Sequence, residues 1–216
     1  MDVGVVHHAD EPRHVGLVWV HAMLHTGGYY ERGEWDPAYP VASNRNWGHM
    51  WGEGLADYYW LSGDRRARES LLKIADMAAS EYLEERGHVN PGTGWIIARH
   101  PGWMSKILIA GYAVSGDQYY LNAAKLIADA AIWTLHPDRH QWGAIINPQE
   151  CRHDPLPDGP CWGSKPFMTG VALRGLSVYD RVQPREDVRR TMVRNSRWMW
   201  EVGYLPEFNG FIYSEC

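Results

Sequence analysis

The chain repeats itself, and that limits what it can fold into. The stretches WGEGLADYYWLSGDRRARESLLKIADMA and WMSKILIAGYAVSGDQYYLNAAKLIADAA align at an offset of 53 residues. Tyr59 then falls on Tyr112. Ser62, Gly63 and Asp64 fall on Ser115, Gly116 and Asp117, and Ile74, Ala75 and Asp76 on Ile127, Ala128 and Asp129. Each copy reads as a helix, a tight corner and a second helix. The glycine supplies the left-handed position that ends the first helix, and the aspartate caps the second. A looser third copy, FMTGVALRGLSVYDRVQPREDVRRTMVRNSRWMW, has Tyr179 at the tyrosine position and Gln183-Pro184 at the corner. Pro184 suits the first turn of a helix. A helical stretch from about Arg13 to His25 precedes the copies, and no strand run is visible. A repeated hairpin cannot bury its apolar face alone, so neighbours must stack. The expectation is an all-α chain of about seven helices, one leading helix and three antiparallel hairpins, forming one domain over residues 1–216.

The joints between hairpins are long, whereas the corners within them are tight. The joints run from Thr26 to Asn46, from about Arg86 to Pro101 and from about His136 to Pro166. Loops of that length without regular structure are uncommon unless they carry function. Each leads into the first helix of a hairpin, so the three are expected to gather at one end of the array and form the site there.

Composition narrows the partners. Net charge is -5, hydrophobic residues make up 45% and charged residues 22%, values ordinary for a globular protein. No basic stripe stands out except on the last helix, which argues against nucleic acid. Mean hydropathy is -0.44, and no apolar run approaches the roughly 20 residues of a bilayer span. No signal peptide is visible at the N-terminus, which tilts the expectation toward the cytoplasm, although polymer-cleaving enzymes are often exported. The three cysteines, Cys151, Cys161 and Cys216, make no disulfide framework. There are 12 Trp and 12 Tyr but only 3 Phe. Trp and Tyr combine a flat apolar face with a polar handle, which suits sugar rings, although most of them are expected in the helical core. There are 17 Arg against 4 Lys. Arginine pairs with carboxylates bidentately, and base composition of the genome gives the same bias.

With these hairpins and their Gly-Asp corners, the chain resembles the α/α-toroid class, also called six-hairpin glycosidase-like. The segments HHADEPRHVGLVWVHAMLHTGGYY and NWGHMWGEGLADYYWLSGDRRARE are most similar to the helical domain of exo-rhamnogalacturonan lyase-like proteins, over about Asp10 to Ala131. The YYWLSGD element specifies the fold better than the activity. The class holds polysaccharide lyases, unsaturated uronyl hydrolases, other glycosidases and sugar epimerases. A full toroid has six hairpins and the lyases carry flanking β-domains, whereas about three and a half hairpins are read here. An uncapped stack of hairpins exposes an apolar end. The resemblance therefore implies a partial or complete toroid that self-associates as a homo-oligomer, with a dimer expected.

The first constellation with chemistry is Asn44-Arg45-Asn46-Trp47-Gly48-His49-Met50-Trp51-Gly52-Glu53. His49 and Glu53 are spaced i,i+4 on one helical face, which Asp57 continues. Such a pair can tune a proton acceptor near neutrality. Arg45, Asn44 and Asn46 suit a uronate carboxylate, and Trp47 and Trp51 suit a sugar face. Elimination needs the carboxylate neutralised to acidify the C5 proton, a base to remove that proton and an acid to assist the leaving oxygen. The resemblance implies Arg45 and Asn46 for the carboxylate, His49 for the base and Tyr29 or Tyr30 for the acid. The plain alternative is a structural His49–Glu53 pair.

The remaining constellations are weaker. His7, His8, Asp10, Glu11, His14, His21 and His25 cluster near the start, and His21 and His25 have a spacing that can hold zinc. The plain reading is helix packing; a middle reading puts Arg13 and His14 in the sugar pocket. Arg99-His100-Pro101-Gly102-Trp103 takes the place of the first constellation in the second copy. Arg99 and His100 are candidates for a subsite or base, and Trp103 and Trp95 for stacking, against a simple Pro-Gly turn that starts a helix. Glu150-Cys151-Arg152-His153 and Cys161-Trp162-Gly163 suggest zinc without a matching spacing; Trp162 and Lys165 open the third hairpin and suit the substrate mouth. Arg185, Arg189, Arg190, Arg194 and Arg197 on the last helix read as a solvated face. No cofactor is expected, with zinc or calcium the minor alternative.

The leading expectation is a lyase acting on a uronate-containing polysaccharide or oligosaccharide. The runner-up is a glycoside hydrolase, which needs two carboxylates about 5–5.5 Å apart for retention or about 6.5–9.5 Å for inversion; Glu53 with Asp57, Glu34 or Asp36 are its candidates. A non-catalytic carbohydrate-binding or assembly module comes third, and an epimerase using His49 and His100 fourth.

Overall fold

The computed structural model describes residues 7, 15, 16, 50–80, 83, 99–134 and 165–212. Among them are six helices: α1 (Glu53–Ser62), α2 (Arg65–Ser80), α3 (Arg99–Ser115), α4 (Gln118–Thr134), α5 (Pro166–Val182) and α6 (Glu186–Glu201). A small hairpin follows, β1 (Tyr204–Leu205) antiparallel to β2 (Gly210–Phe211) across a 3-10 turn at Pro206–Phe208. The described residues are thus all-α but for two strands too short to show a period-2 pattern. The chain divides into two compact units, one of Met1–Gly87 and Lys106–Ala123, the other of His88–Ser105 and Ala124–Cys216.

The repeated corner takes one geometry in both copies. Gly63 and Gly116 have φ of 72° and 74°, a region only glycine enters without cost. Their N–H groups donate to Tyr59 O at 2.8 Å and Tyr112 O at 2.7 Å. Ser62 Oγ donates to Tyr58 O at 2.6 Å, and Ser115 Oγ to Gly111 O at 2.7 Å. The capping aspartates accept from the second residue of the next helix, Asp64 Oδ1 from Arg66 N–H and Asp117 Oδ1 from Tyr119 N–H, each at 2.9 Å. Such caps are worth about 1 kcal/mol each.

The third corner differs. Pro184 was expected in the first turn, but α6 starts at Glu186 with Arg185 as its extended N-cap. Asp180 Oδ1 accepts the Arg185 N–H at 2.7 Å. That bond and the Arg185 side-chain contacts hold the chain extended past the proline.

In the first unit, α2 buries Ala67, Ser70, Leu71, Ile74, Ala75 and Ala78, the i, i+3, i+4, i+7 stripe of a core helix. Tyr120 OH donates to Asp76 Oδ1 at 2.6 Å, and Arg68 Nε to Val114 O at 3.1 Å. Burial and the Asp76 carboxylate together push the Tyr120 hydroxyl above its ordinary pKa. The leading helix requires a correction. Val15 and Gly16 form a turn, with Gly16 at φ 93°. A Cβ there would lie 2.2 Å from the Lys73 carbonyl oxygen. A left-handed residue pressed onto α2 is not helical, so Val15 and Gly16 do not belong to the expected helix; the rest of the stretch from Arg13 to His25 lies outside the described residues.

In the second unit, α5 buries Met168, Thr169, Ala172, Gly175, Leu176 and Tyr179, and α6 buries Val188, Thr191, Asn195 and Trp198. Two glycines bring α3 and α5 together at the backbone. A Cβ on Gly175 would meet Gly102 Cα at 2.6 Å, and one on Gly102 would meet Val171 O at 2.2 Å. Gly102, read from sequence as a turn glycine, is a helix-contact glycine. Arg185 reaches from the start of α6 to Asp129 on α4.

Gly175→Ala is expected to destabilise by about 1–3 kcal/mol or more, because neither backbone can yield. Gly170→Ala on the same helix meets only Met199 Cε at 3.8 Å and should gain up to about 1 kcal/mol from helix propensity. Urea unfolding of the two variants checks the opposite signs.

Candidate functional site

The first constellation enters α1 through three described residues. Met50 is buried. Gly52, the N-cap of α1, is closely packed, since a Cβ would lie 3.0 Å from Leu71 Cδ1 and 3.3 Å from Ile107 Cγ1. Trp51 between them is exposed. These contacts fix where Glu53 starts the helix, and an acid in a first turn is favoured by the helix dipole.

Glu53 meets Lys106. The ammonium lies 2.5 Å from Glu53 Oε1, with the lysine side chain 11% exposed and the glutamate 35%. At the repeat offset of 53, position 106 is the counterpart of position 53. Sequence spacing offered His49, one turn away and outside the described residues; Lys106, on another helix of the first unit, is a partner that spacing did not reveal. Asp57 is exposed on α1. Glu53 Oε1 is engaged as an acceptor of the Lys106 ammonium.

The second unit holds the other described candidates. Arg99 and His100 are the first residues of α3, with Pro101 and Gly102 buried behind them and Trp103 half-buried. Pro101 and Gly102 thus belong to the helix itself. Lys165 is the N-cap of α5 in extended conformation and is only 2% exposed. His49, Arg45, Asn44, Asn46, Trp47, Tyr29, Tyr30, Trp162, His14 and Arg13 lie outside the described residues. So do Glu34, Asp36, Trp95, Glu150, the three cysteines and His153.

Of the histidine cluster only His7 is described. Its Nδ1 lies 2.8 Å from Lys73 Nζ. Lysine only donates, so Nδ1 accepts and the ring proton sits on Nε2. Among the described residues no three His, Cys, Asp or Glu side chains gather where a metal could sit, and no described helix is long and apolar enough to cross a membrane.

Spacing on one helix did not reveal the ion pair between Arg185 and Asp129 on α4. Arg185 pairs with Asp187 Oδ2 at 2.7 Å and with Asp129 Oδ1. The Asp187 carboxylate is the main cause of the raised Arg185 pKa; burial opposes it and Asp129 adds to it. Arg185 in turn holds Asp187 below the ordinary carboxylate value of 3.8. For Asp180, burial pushes upward, but the Arg185 N–H and the Arg189 guanidinium, 2.9 Å away, bring it below 3.8. The signal for Asp129 was present in the sequence, as the repeat counterpart of Asp76.

The arginines expected on a solvated face are thus divided. Arg185 and Arg189 are held by carboxylates. Arg190, Arg194 and Arg197 line a groove of about 470 Å³ along α6, with Glu186 and Glu201 at its ends. Beyond it Trp200 stacks on Tyr204, ring centroids 4.6 Å apart and planes 7° from parallel.

Two outcomes follow. Glu53→Ala should cost about 1–3 kcal/mol, because it strips a largely buried ammonium of its carboxylate. The Glu53→Gln/Lys106→Met cycle in urea unfolding should show a coupling of about 0.5–3 kcal/mol. Asp180 and Asp187 have folded pKa values below their unfolded ones. Their stabilisation is full above the ordinary 3.8 and is lost as pH falls through the folded values. The urea midpoint should therefore drop between about pH 5 and about pH 2, and Asp180→Asn should flatten part of that slope.

No family model, curated protein or solved structure matches the chain.

Proposed function

We propose that the chain is a carbohydrate-active enzyme of the α/α-toroid class that cleaves a uronate-containing polysaccharide by β-elimination. The observation that carries this reading is the Glu53–Lys106 pair at the foot of the segment containing Arg45, Asn46 and His49. A uronate carboxylate needs cationic and amide donors around it, and Arg45 with Asn44 and Asn46 supply both within the segment that leads into Glu53. The two corners of identical geometry support the hairpin-repeat class.

Arg45 and Asn46 neutralise the substrate carboxylate and so acidify the C5 proton. His49 takes that proton. The electron pair forms the C4–C5 double bond as the C4–O bond breaks, and Tyr29 or Tyr30 gives a proton to the leaving oxygen. Glu53 stays an acceptor that orients Lys106 and the first turn of α1. Hydrolysis would instead require Glu53 to act within a carboxylate pair, and its engagement with Lys106 favours elimination.

The test is turnover on a panel of uronate polysaccharides, reading ultraviolet absorbance of the new double bond beside reducing ends. Both should rise together, and His49→Ala should abolish both. Reducing ends without absorbance would establish hydrolysis and return Glu53 and Asp57 to the centre. Neither signal on any polymer would overturn the enzyme reading in favour of a carbohydrate-binding module.

A further inference from the structure

We infer that the outer face of α6 and the Trp200–Tyr204 stack form a surface binding site for a carboxylate-bearing oligosaccharide segment. The inference takes its ligand class from the proposed function but needs no turnover. Arg190, Arg194 and Arg197 fall at i, i+4 and i+7, so they share one side of the helix and line its groove. Arg190 and Arg197 are exposed and have no ion pair among the described residues. Arginine matches a carboxylate in a planar, bidentate way. This cationic row stands on a chain of net charge -5, so it is a local concentration against the overall sign.

The aromatic part adjoins the row. Trp200 lies three residues after Arg197 and so beside it on the helix surface. Its ring is 64% exposed while stacked on Tyr204. Tyr204 is backed by Phe211 at 5.4 Å, and its hydroxyl donates to Asn209 Oδ1 at 2.9 Å. The ring that faces solvent is therefore braced rather than free to turn. From Arg190 to Trp200 the helix rises about 15 Å, the span of a short oligosaccharide.

Single-stranded nucleic acid also combines anionic groups with flat rings. Glu186 and Glu201 at the ends of the groove confine the cationic stretch to Arg190, Arg194 and Arg197; they repel any anionic group set over them, carboxylate or phosphodiester, and accept from hydroxyls. The groove therefore suits an oligosaccharide with a carboxylate over the arginines and hydroxyls over the glutamates, and nucleic acid is an outcome of the test.

The test is affinity electrophoresis and calorimetry of the full chain with polygalacturonate, its methyl ester and polyuridylate. Polygalacturonate should bind, with affinity falling as salt rises. Arg190→Gln/Arg197→Gln should weaken binding about tenfold, the loss of one to two charge-assisted contacts. Trp200→Ala should weaken binding of polygalacturonate and of its methyl ester by similar factors, because stacking ignores the charge. Arg190 and Arg197 are exposed, so the thermal midpoint of their double variant should not move, whereas Trp200→Ala should lower it modestly through loss of the Tyr204 stack. Unchanged binding in both variants would overturn the inference. So would tighter binding of polyuridylate, or no binding of any uronate polymer by the wild-type chain. Binding that depends on the arginines and Trp200, with no turnover on any polymer, would leave this site standing and remove only the enzyme reading.

Discussion

Two aspartates at the same place in consecutive copies each make a directional contact from one hairpin to the next. Asp76 accepts from Tyr120 at the start of α4, and Asp129 accepts from Arg185 at the start of α6. Each acts from the second helix of one hairpin on the opening of the second helix of the next. Apolar burial is larger in energy but non-directional. A stripe such as Leu71, Ile74 and Ala78 can slide along a neighbour with little change in buried area. A charged or hydroxyl hydrogen bond fixes which turn meets which. The bonds are partly exposed, so each contributes about 1 kcal/mol, and their importance lies in register.

The close backbone approach of Gly102 and Gly175 works the other way, through what is absent. Where no Cβ intervenes, two helices come nearer than side chains allow, and dispersion contacts along both backbones replace one pair of packed side chains. Thr169 and Ala172 keep the same face of α5 small. Ordinary helices gain from replacing glycine by alanine, so the presence of glycine here reflects packing and not conformation.

The local features were legible in the sequence because local chemistry specifies them. Ser-Gly-Asp named its own hydrogen bonds, since the left-handed glycine and the capping carboxylate act within three residues of one another. Tyr59, Tyr112 and Tyr179 marked the same turn in each hairpin, with their carbonyls accepting from Gly63, Gly116 and Gln183. What failed depended on contacts distant in sequence. Gly16, expected inside a helix from about Arg13, stands instead in a left-handed turn against Lys73 of α2, a contact distant in sequence. Lys106 was not visible as a partner of Glu53, because spacing sees one helix only and Lys106 approaches from another; His49 lies outside the described residues. Gly102 looked like a turn residue because Pro101 precedes it, and only the position of α5 reveals its use. The solvated reading of the last helix held for part of it, since nothing in an arginine run tells which members meet an aspartate on a neighbouring element.

The Glu53–Lys106 pair sets two copies of one position against each other. In a repeat whose copies were interchangeable, equivalent residues would be identical, and here glutamate would face glutamate or lysine would face lysine. Like charges at that distance repel. The copies have therefore diverged into a complementary couple, first copy acidic and second copy basic. Hairpin one cannot substitute for hairpin two, nor can two first hairpins stack in this way. The resemblance between them is one of architecture, and the charge difference gives the repeat an order that its shared corner alone would leave open.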